Sequence, residues 1–274
     1  MLGNNLQERR PRLAFLYAVP IALLGGLIGL GGAEFRLPVL AGPLKYPVRQ
    51  AVPLNLAVSL VTLAVSLATR SSTLSLSPVV PFLPAVLALI AGAVVTAFFG
   101  AALAGQLSNE QLERLILVLL VVIGLALIVE GFLPQEIAGL LQKAALLWRI
   151  VAGILFGLAI GLVSSLLGVA GGELIIPTLI FVFGADIKTA GTASLLVSLP
   201  TVLVGIIRYA SRGAFALPRA LVDTVAPMSL GSVIGAIIGG MLVGLIPASV
   251  LKIVLGLILN ISAFRTFRSI NSVH

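Results

Sequence analysis

The sequence predicts an all-α polytopic membrane protein of two homologous halves, each a glycine-broken helix pair followed by three transmembrane helices. Three observations carry that prediction. Of 274 residues, 59% are hydrophobic and 9% charged, against roughly 25% charged in soluble domains. The charges cut the chain into uncharged tracts of membrane length. Sliding the chain against itself by 139 residues brings two glycine clusters into one register. This composition excludes a soluble globular protein, a disordered chain and a nucleic-acid binder, despite a net charge of +8. With no cysteine, disulfides, thiolate metal sites and thiol catalysis drop out. The one histidine, His274, is the last residue, so interior histidine triads, zinc motifs and haem ligation drop out too. No cofactor and no metal are expected.

The uncharged tracts cover 13–33, 50–69, 71–109 and 115–129, then 150–172, 174–185, 189–207, 224–251 and 253–264. A helix crosses the hydrocarbon core in about 20 residues. Barrel strands alternate over about 10 residues, and these tracts are apolar all round, so helices are predicted. In chain order, 13–44 is a glycine-interrupted pair and 48–69 a full span. Tract 71–109 opens with Ser71–Ser77 and Pro78, Pro81 and Pro84, which places its helix at about 80–104. A span over 112–131 closes the first half. The second half repeats the order with a broken pair at 150–184 and spans at 187–208, 217–243 and 249–268. Tract 174–185, between a glycine cluster and Gly184-Ala185-Asp186, is a short helix of about 15 Å, half a bilayer. Tract 253–264 continues a longer helix, with Lys252 and Arg265 snorkelling at its ends. Arg9, Arg10 and Arg12 before an apolar stretch resemble the start of a signal peptide. The stretch runs on into the repeated pattern, so it is expected to remain as an anchor. The organisation is therefore a first membrane repeat over 1–131, a linker over 132–149 and a second repeat over 150–274.

The duplication is specific. From 25–62 against 164–201, without a gap, 12 of 38 positions are identical: Leu27, Gly29, Gly32, Glu34, Pro38, Leu40, Ala51, Leu56, Val58, Ser59, Leu60 and Thr62 with their partners. Apolar segments share Leu, Val and Ala by chance, but not Gly, Glu and Pro in one register. Gly92, Gly100, Gly105 and Leu112 still match Gly231, Gly239, Gly244 and Leu251. Broken helices in corresponding places of two repeats are the usual mark of a transporter's substrate site.

Positive residues concentrate on the cytoplasmic side of membrane proteins. If each broken pair dips and returns, the repeats are inverted and 11 cations are cytoplasmic against 5 outside. If each pair crosses once, Lys45, Arg49 and Arg114 exchange places with Arg70, Lys143 and Arg149, and the count stays 11 to 5. Both termini are cytoplasmic either way. Inversion is favoured because a helix of 10 to 12 residues reaches half depth and is most easily closed as a dip.

Gly29-x-Gly31-Gly32-Ala33 and Gly168-x-x-Gly171-Gly172, with Pro38 or Pro177 following, predict real interruptions, since each helical glycine costs about 1 kcal/mol relative to alanine. A break bares N–H groups at the start of the second half-helix, a ready anion site, tolerated only where protein or water surrounds it. Glu34 and Glu173 either carry a proton at depth or cap their own helices. Arg36, which has Ile175 as its counterpart, pairs with Glu34, meets a substrate anion or snorkels to an interface. Asn55, Ser59 and Thr62 lie over Ser194, Ser198 and Thr201, each set on one helical face. They read either as donors to a bound oxyanion or as interhelical hydrogen bonds. Arg49 over Lys188 is a matched cation at a span entrance, suited to attracting anions or to anchoring. Gly231, Gly235 and Gly239, with Gly92, Thr96 and Gly100 opposite, read as a close-packing seam that would also serve a homodimer contact.

These residues resemble the TauE/SafE family of sulfite exporters and related organosulfur anion carriers. The resemblance rests on Gly29-Leu30-Gly31-Gly32…Pro38 and on Gly168-Val169-Ala170-Gly171-Gly172…Pro177, followed by Ala190-Gly191-Thr192-Ala193-Ser194-Leu195. It covers nearly the whole chain. The first half departs from it, with Val52-Pro53-Leu54-Asn55 in place of the Gly-Thr-x-Ser stretch and Arg36 in an apolar position, so the half-sites are chemically unequal. What the resemblance implies is proton-coupled export of a small sulfur oxyanion, such as sulfite or sulfoacetate, across the cell inner membrane. Competing readings are a passive anion channel and a membrane-embedded enzyme. For the enzyme only Ser with Lys or Glu remains as a nucleophile and base.

Overall fold

The computed structural model describes residues 10–103, 109–132, 138–167, 169–215 and 218–271. Among them every element is helical. The first, α1 (Pro11–Ile28), opens on a proline, whose missing N–H would have no partner at that position. It ends where Gly29 takes φ 97° and its N–H closes on the Gly25 carbonyl. The short α2 (Ala33–Ala41) and the long α3 (Val48–Thr73) follow. A 3-10 turn over Ser77–Phe82 leads into α4 (Leu83–Leu103), since Pro78 and Pro81 cannot donate to a helical ladder. Next comes α5 (Asn109–Phe132).

The second half runs through α6 (Leu146–Leu167), the short α7 (Gly172–Phe181) and α8 (Ile187–Ser211). One turn, α9 (Pro218–Ala220), passes through a π turn at Leu221–Val225 into α10 (Ala226–Leu242), and α11 (Ala248–Asn271) closes the order. Among the described residues six helical segments are long and apolar enough to cross a membrane, so the chain is a polytopic all-α membrane protein.

Both glycine breaks are reversals. Gly32 lies against Ile21, and Gly25 against Gly31; in an unbroken helix residues 21 and 32 would stand about 16 Å apart. Gly171 likewise lies against Ile160, and the Val169 N–H donates to the Ser164 carbonyl. Each short helix therefore turns back along its predecessor. Ala14 and Ala18 of α1 share an apolar cluster with Leu40 and Leu44, which follow the reversal, and with Ala51 and Leu54 of α3. Thus α2 returns to the end where α1 began, and α3 starts from there.

Glycine seams hold the long helices. Gly231, Gly235 and Gly239 of α10 lie against the Phe15, Val19 and Leu23 carbonyls of α1, while Gly153, Gly157 and Gly161 of α6 lie against Ala85, Leu89 and Ala93 of α4. The rising numbers on both members make each pair parallel. The Gly231–Gly239 face is thereby covered within the chain and does not present itself to a second copy. Between α3 and α8, Gly205 faces Leu56 while Arg70 reaches Thr192, so these two run antiparallel. α5 and α11 pack antiparallel through Gly124 on Gly256 and Gly131 on Ser249.

Two charges depart from the sequence expectation. Lys252 does not snorkel: it is buried and pairs with Glu130 at 2.9 Å, joining α5 and α11. The Arg265 side chain lies outside the described residues. Arg70 does not end its span, because α3 continues to Thr73. The hydroxyls of Ser71, Ser72 and Thr73 donate back to carbonyls at Ala68 and Thr69, which extends the helix and carries Arg70 inside.

Candidate functional site: two facing helix breaks

The breaks meet. Gly172, the first residue of α7, lies 3.0 Å, measured from where a Cβ would stand, from the Leu30 Cα, and Gly31 faces Ala170. Gly29 and Gly191 approach so closely that a Cβ on either would collide with backbone, on Gly191 with the Ile28 carbonyl and on Gly29 with the Gly191 carbonyl. The break of α1 is thus inserted between α7 and α8. Glycine is needed for conformation as well: Gly29, Gly31, Gly32 and Gly171 have φ of 97°, 82°, 72° and 78°, a region that non-glycine residues enter at about 1–2 kcal/mol. Gly32 and Gly171 are the N-caps of α2 and α7, and neither helix has a side-chain cap. The first N–H groups of a helix have no partner within it. Gly168 lies outside the described residues.

Arg36 is fully buried beside the first break. Its Nη1 donates to Ser59 Oγ at 2.9 Å and to Asn55 Oδ1 at 3.4 Å; its Nη2 donates to Thr62 Oγ1 at 2.9 Å and to the Gly31 carbonyl at 3.2 Å. The polar stripe of α3 therefore accepts from Arg36. The stripe's own protons go elsewhere: Ser59 to the Asn55 carbonyl, Thr62 to the Val58 carbonyl, and the Asn55 amide to the carbonyl of Ala33, itself buried. Of the three roles open to Arg36 in the sequence, none names this one. It does not snorkel, being 0% exposed, and it feels Glu34 electrostatically without forming an ion pair with it among the described residues.

The second half looks different. Ser194 and Ser198 are fully buried, and neither Oγ has a hydrogen-bond partner. Ser194 Oγ lies 3.3 Å from where a Cβ on Gly172 would stand, at the mouth of α7. Thr192 is engaged, donating to the Lys188 carbonyl at 2.9 Å and accepting from Arg70 Nη1 at 3.2 Å. Arg70 also donates to the Leu27 carbonyl at 2.9 Å. This fully buried cation beside the first break was missed by cutting the sequence at its charges; the polar run Ser71–Thr73, with no proline before Pro78, was the signal that the helix continues.

Glu34 and Glu173 both sit at the second position of their short helices and interact electrostatically. A Glu34 oxygen is buried without a hydrogen-bond partner. Lys188 is not brought to the breaks: its ammonium donates to the Gly244 carbonyl at the far end of α8 from Thr201. The Arg49 side chain lies outside the described residues. A crevice opens at the Thr201 end, lined among others by Ser164, Thr201, Gly205, Arg208 and Tyr209. Arg208 at its rim donates to the Ala97 carbonyl. Among the described residues no group of three His, Cys, Asp or Glu is placed to hold a metal ion.

The family model for the sulfite exporter TauE/SafE matches residues 13–266, and the chain belongs to that family. No curated protein and no solved structure matches it.

Proposed function

We propose that this member of a membrane-embedded exporter family is a secondary transporter. On this reading it moves a small sulfur oxyanion, sulfite or an organosulfonate such as sulfoacetate, out across the inner membrane by alternating access coupled to protons. The carrying observation is the start of α7 facing the α1 break, with the unpartnered Ser194 hydroxyl at its mouth. Helix-start amides and hydroxyl donors deep in an apolar bundle favour an anion over neutral or cationic solutes. The substrate would meet Gly29–Ala33 on one side and Gly171, Gly172, Thr192, Ser194 and Ser198 on the other.

Inverted repeats over 1–131 and 150–274 would supply the two conformations. The antiparallel crossing of α3 and α8, which the 139-residue offset makes equivalent, supports inversion. So does the reversal of each short helix. The apolar cluster that Ala14 shares with Leu44, Ala51 and Ala220, and the approach of Gly205 to Leu56, bring Arg12, Lys45, Arg208 and Arg219 towards one end. By the positive-inside tendency that end is cytoplasmic and carries both termini.

An anion approaching α7 meets Glu173. A protonated carboxyl removes that repulsion and adds a donor, so anion and proton would bind together. Proteoliposomes holding the purified chain test the reading. Sulfite or sulfonate efflux should saturate and respond to an imposed pH gradient; no movement under a pH gradient or a voltage would overturn it.

A further inference from the structure

We infer that the two half-sites differ in kind: the second binds the transported anion, one per chain, while the first is permanently occupied by Arg36. The inference rests on the transport reading above. The offset of 139 lays Arg36 over Ile175 and Asn55, Ser59 and Thr62 over Ser194, Ser198 and Thr201. In the first half the guanidinium takes all three stripe residues and the Gly31 carbonyl. A hydroxyl has a single proton to give, and Ser59 and Thr62 have spent theirs on carbonyls of α3. Neither has a donor left for an oxyanion.

In the second half Ile175, 1% exposed, offers nothing to bond. Thr201 turns its proton back to the Val197 carbonyl at 2.8 Å. Ser194 and Ser198 remain, both 0% exposed and both without a partner. Buried polar groups are nearly always hydrogen-bonded, and the exceptions ask for a missing partner. Among the buried hydroxyls without a partner, which also include Ser66 and Ser232, these two stand over Asn55 and Ser59, which Arg36 satisfies in the other half. Ser194 adjoins Gly172, so its free proton lies beside the first amide of α7, while the Leu174 and Ile175 amides close on the Gly171 carbonyl. Such a donor set suits a small anion with several acceptor oxygens. Arg70 supplies a buried positive charge: it sits over Gly191, one turn before Ser194 on the same face of α8, hydrogen-bonded to Thr192 and the Leu27 carbonyl. The crevice at Thr201 and Arg208 reaches the same stripe from the end proposed to be cytoplasmic.

Opposite effects on binding and stability separate the half-sites. Radiolabelled sulfite is titrated onto the purified full-length chain, and thermal unfolding is followed in the same detergent. Wild type should bind one sulfite per chain. The pair Ser194→Ala with Ser198→Ala should lose affinity about tenfold or more while keeping or raising the melting temperature, since it deletes unsatisfied hydroxyls. Thr62→Val should lower the melting temperature and leave affinity within about twofold. Two sulfites per chain, unchanged affinity in the serine pair, or loss of affinity in Thr62→Val at unchanged melting temperature would overturn the inference while leaving the transport reading intact. A wild-type chain that binds neither sulfite nor methanesulfonate would overturn both.

Discussion

Arg36 and Ser59 are joined at 2.9 Å across α2 and α3, and the same guanidinium reaches Thr62 and Asn55. This tie fixes the returning half-helix to the span that follows it. Hydrogen bonds to a charged group contribute about 1.5–3 kcal/mol each, not additively. Arg36→Met is therefore expected to destabilise the chain by several kcal/mol, read as a lowered midpoint of thermal unfolding in detergent. Arg36→Lys should recover only part of it, because one ammonium cannot reproduce a planar fork serving α3 and the Gly31 carbonyl at once.

The reciprocal change is Ile175→Arg. A guanidinium there would meet Ser194, Ser198 and Thr201 as Arg36 meets Asn55, Ser59 and Thr62. Sulfite binding and efflux should vanish, while the chain still inserts and runs as a single species on size exclusion. Retained efflux would mean that the two stripes are not equivalent.

The breaks were legible in the sequence because glycine, glutamate and proline recur in register, a combination that shared apolar composition does not produce. Spans were legible to within a few residues because charges mark most interfaces. That rule fails at Arg70 and Lys252, which are buried by partners on other helices: Thr192 and Leu27 for Arg70, Glu130 for Lys252. The stripe of α3 was legible as a face but not in its polarity. Whether a hydroxyl gives or accepts depends on what lies opposite, and Arg36 arrives from 23 residues away from Ser59 through a reversal.

Gly29→Ala should be among the most damaging single changes. The new methyl would collide with the Gly191 carbonyl, and φ is 97°. Gly213→Ala isolates the second factor, since Gly213 has φ 73° but nothing within 4 Å of a new Cβ. The expected cost at Gly213 is about 1–2 kcal/mol with transport retained. At Gly29 efflux is lost and the melting midpoint falls further; equal effects at both sites would show that the close approach is not tight.

Lys252 and Glu130 hold α5 to α11 away from the breaks. Removing one partner of a buried pair costs about 3–5 kcal/mol, whereas apolar replacement of both is often neutral or stabilising. Glu130→Leu alone should thus be less stable than Glu130→Leu with Lys252→Leu. Thermal unfolding of the two variants decides it, and efflux by the double variant should stay near wild type.

Glu34 and Glu173 stand at the starts of the two short helices and interact electrostatically, and glutamine stands in there for a carboxyl that never loses its proton. If Glu173 takes up the coupling proton, Glu173→Gln should bind sulfite at alkaline pH where wild type has released it, because no carboxylate repels the anion. Exchange of sulfite between the two sides should persist, since it needs only the loaded site to reorient. Uphill accumulation driven by a pH gradient should disappear, since the variant carries no removable proton. The same set of measurements on Glu34→Gln assigns the role to one carboxylate or to both. Wild-type pH profiles and wild-type gradient-driven accumulation in both variants would leave the pair a purely structural part in closing the helix starts.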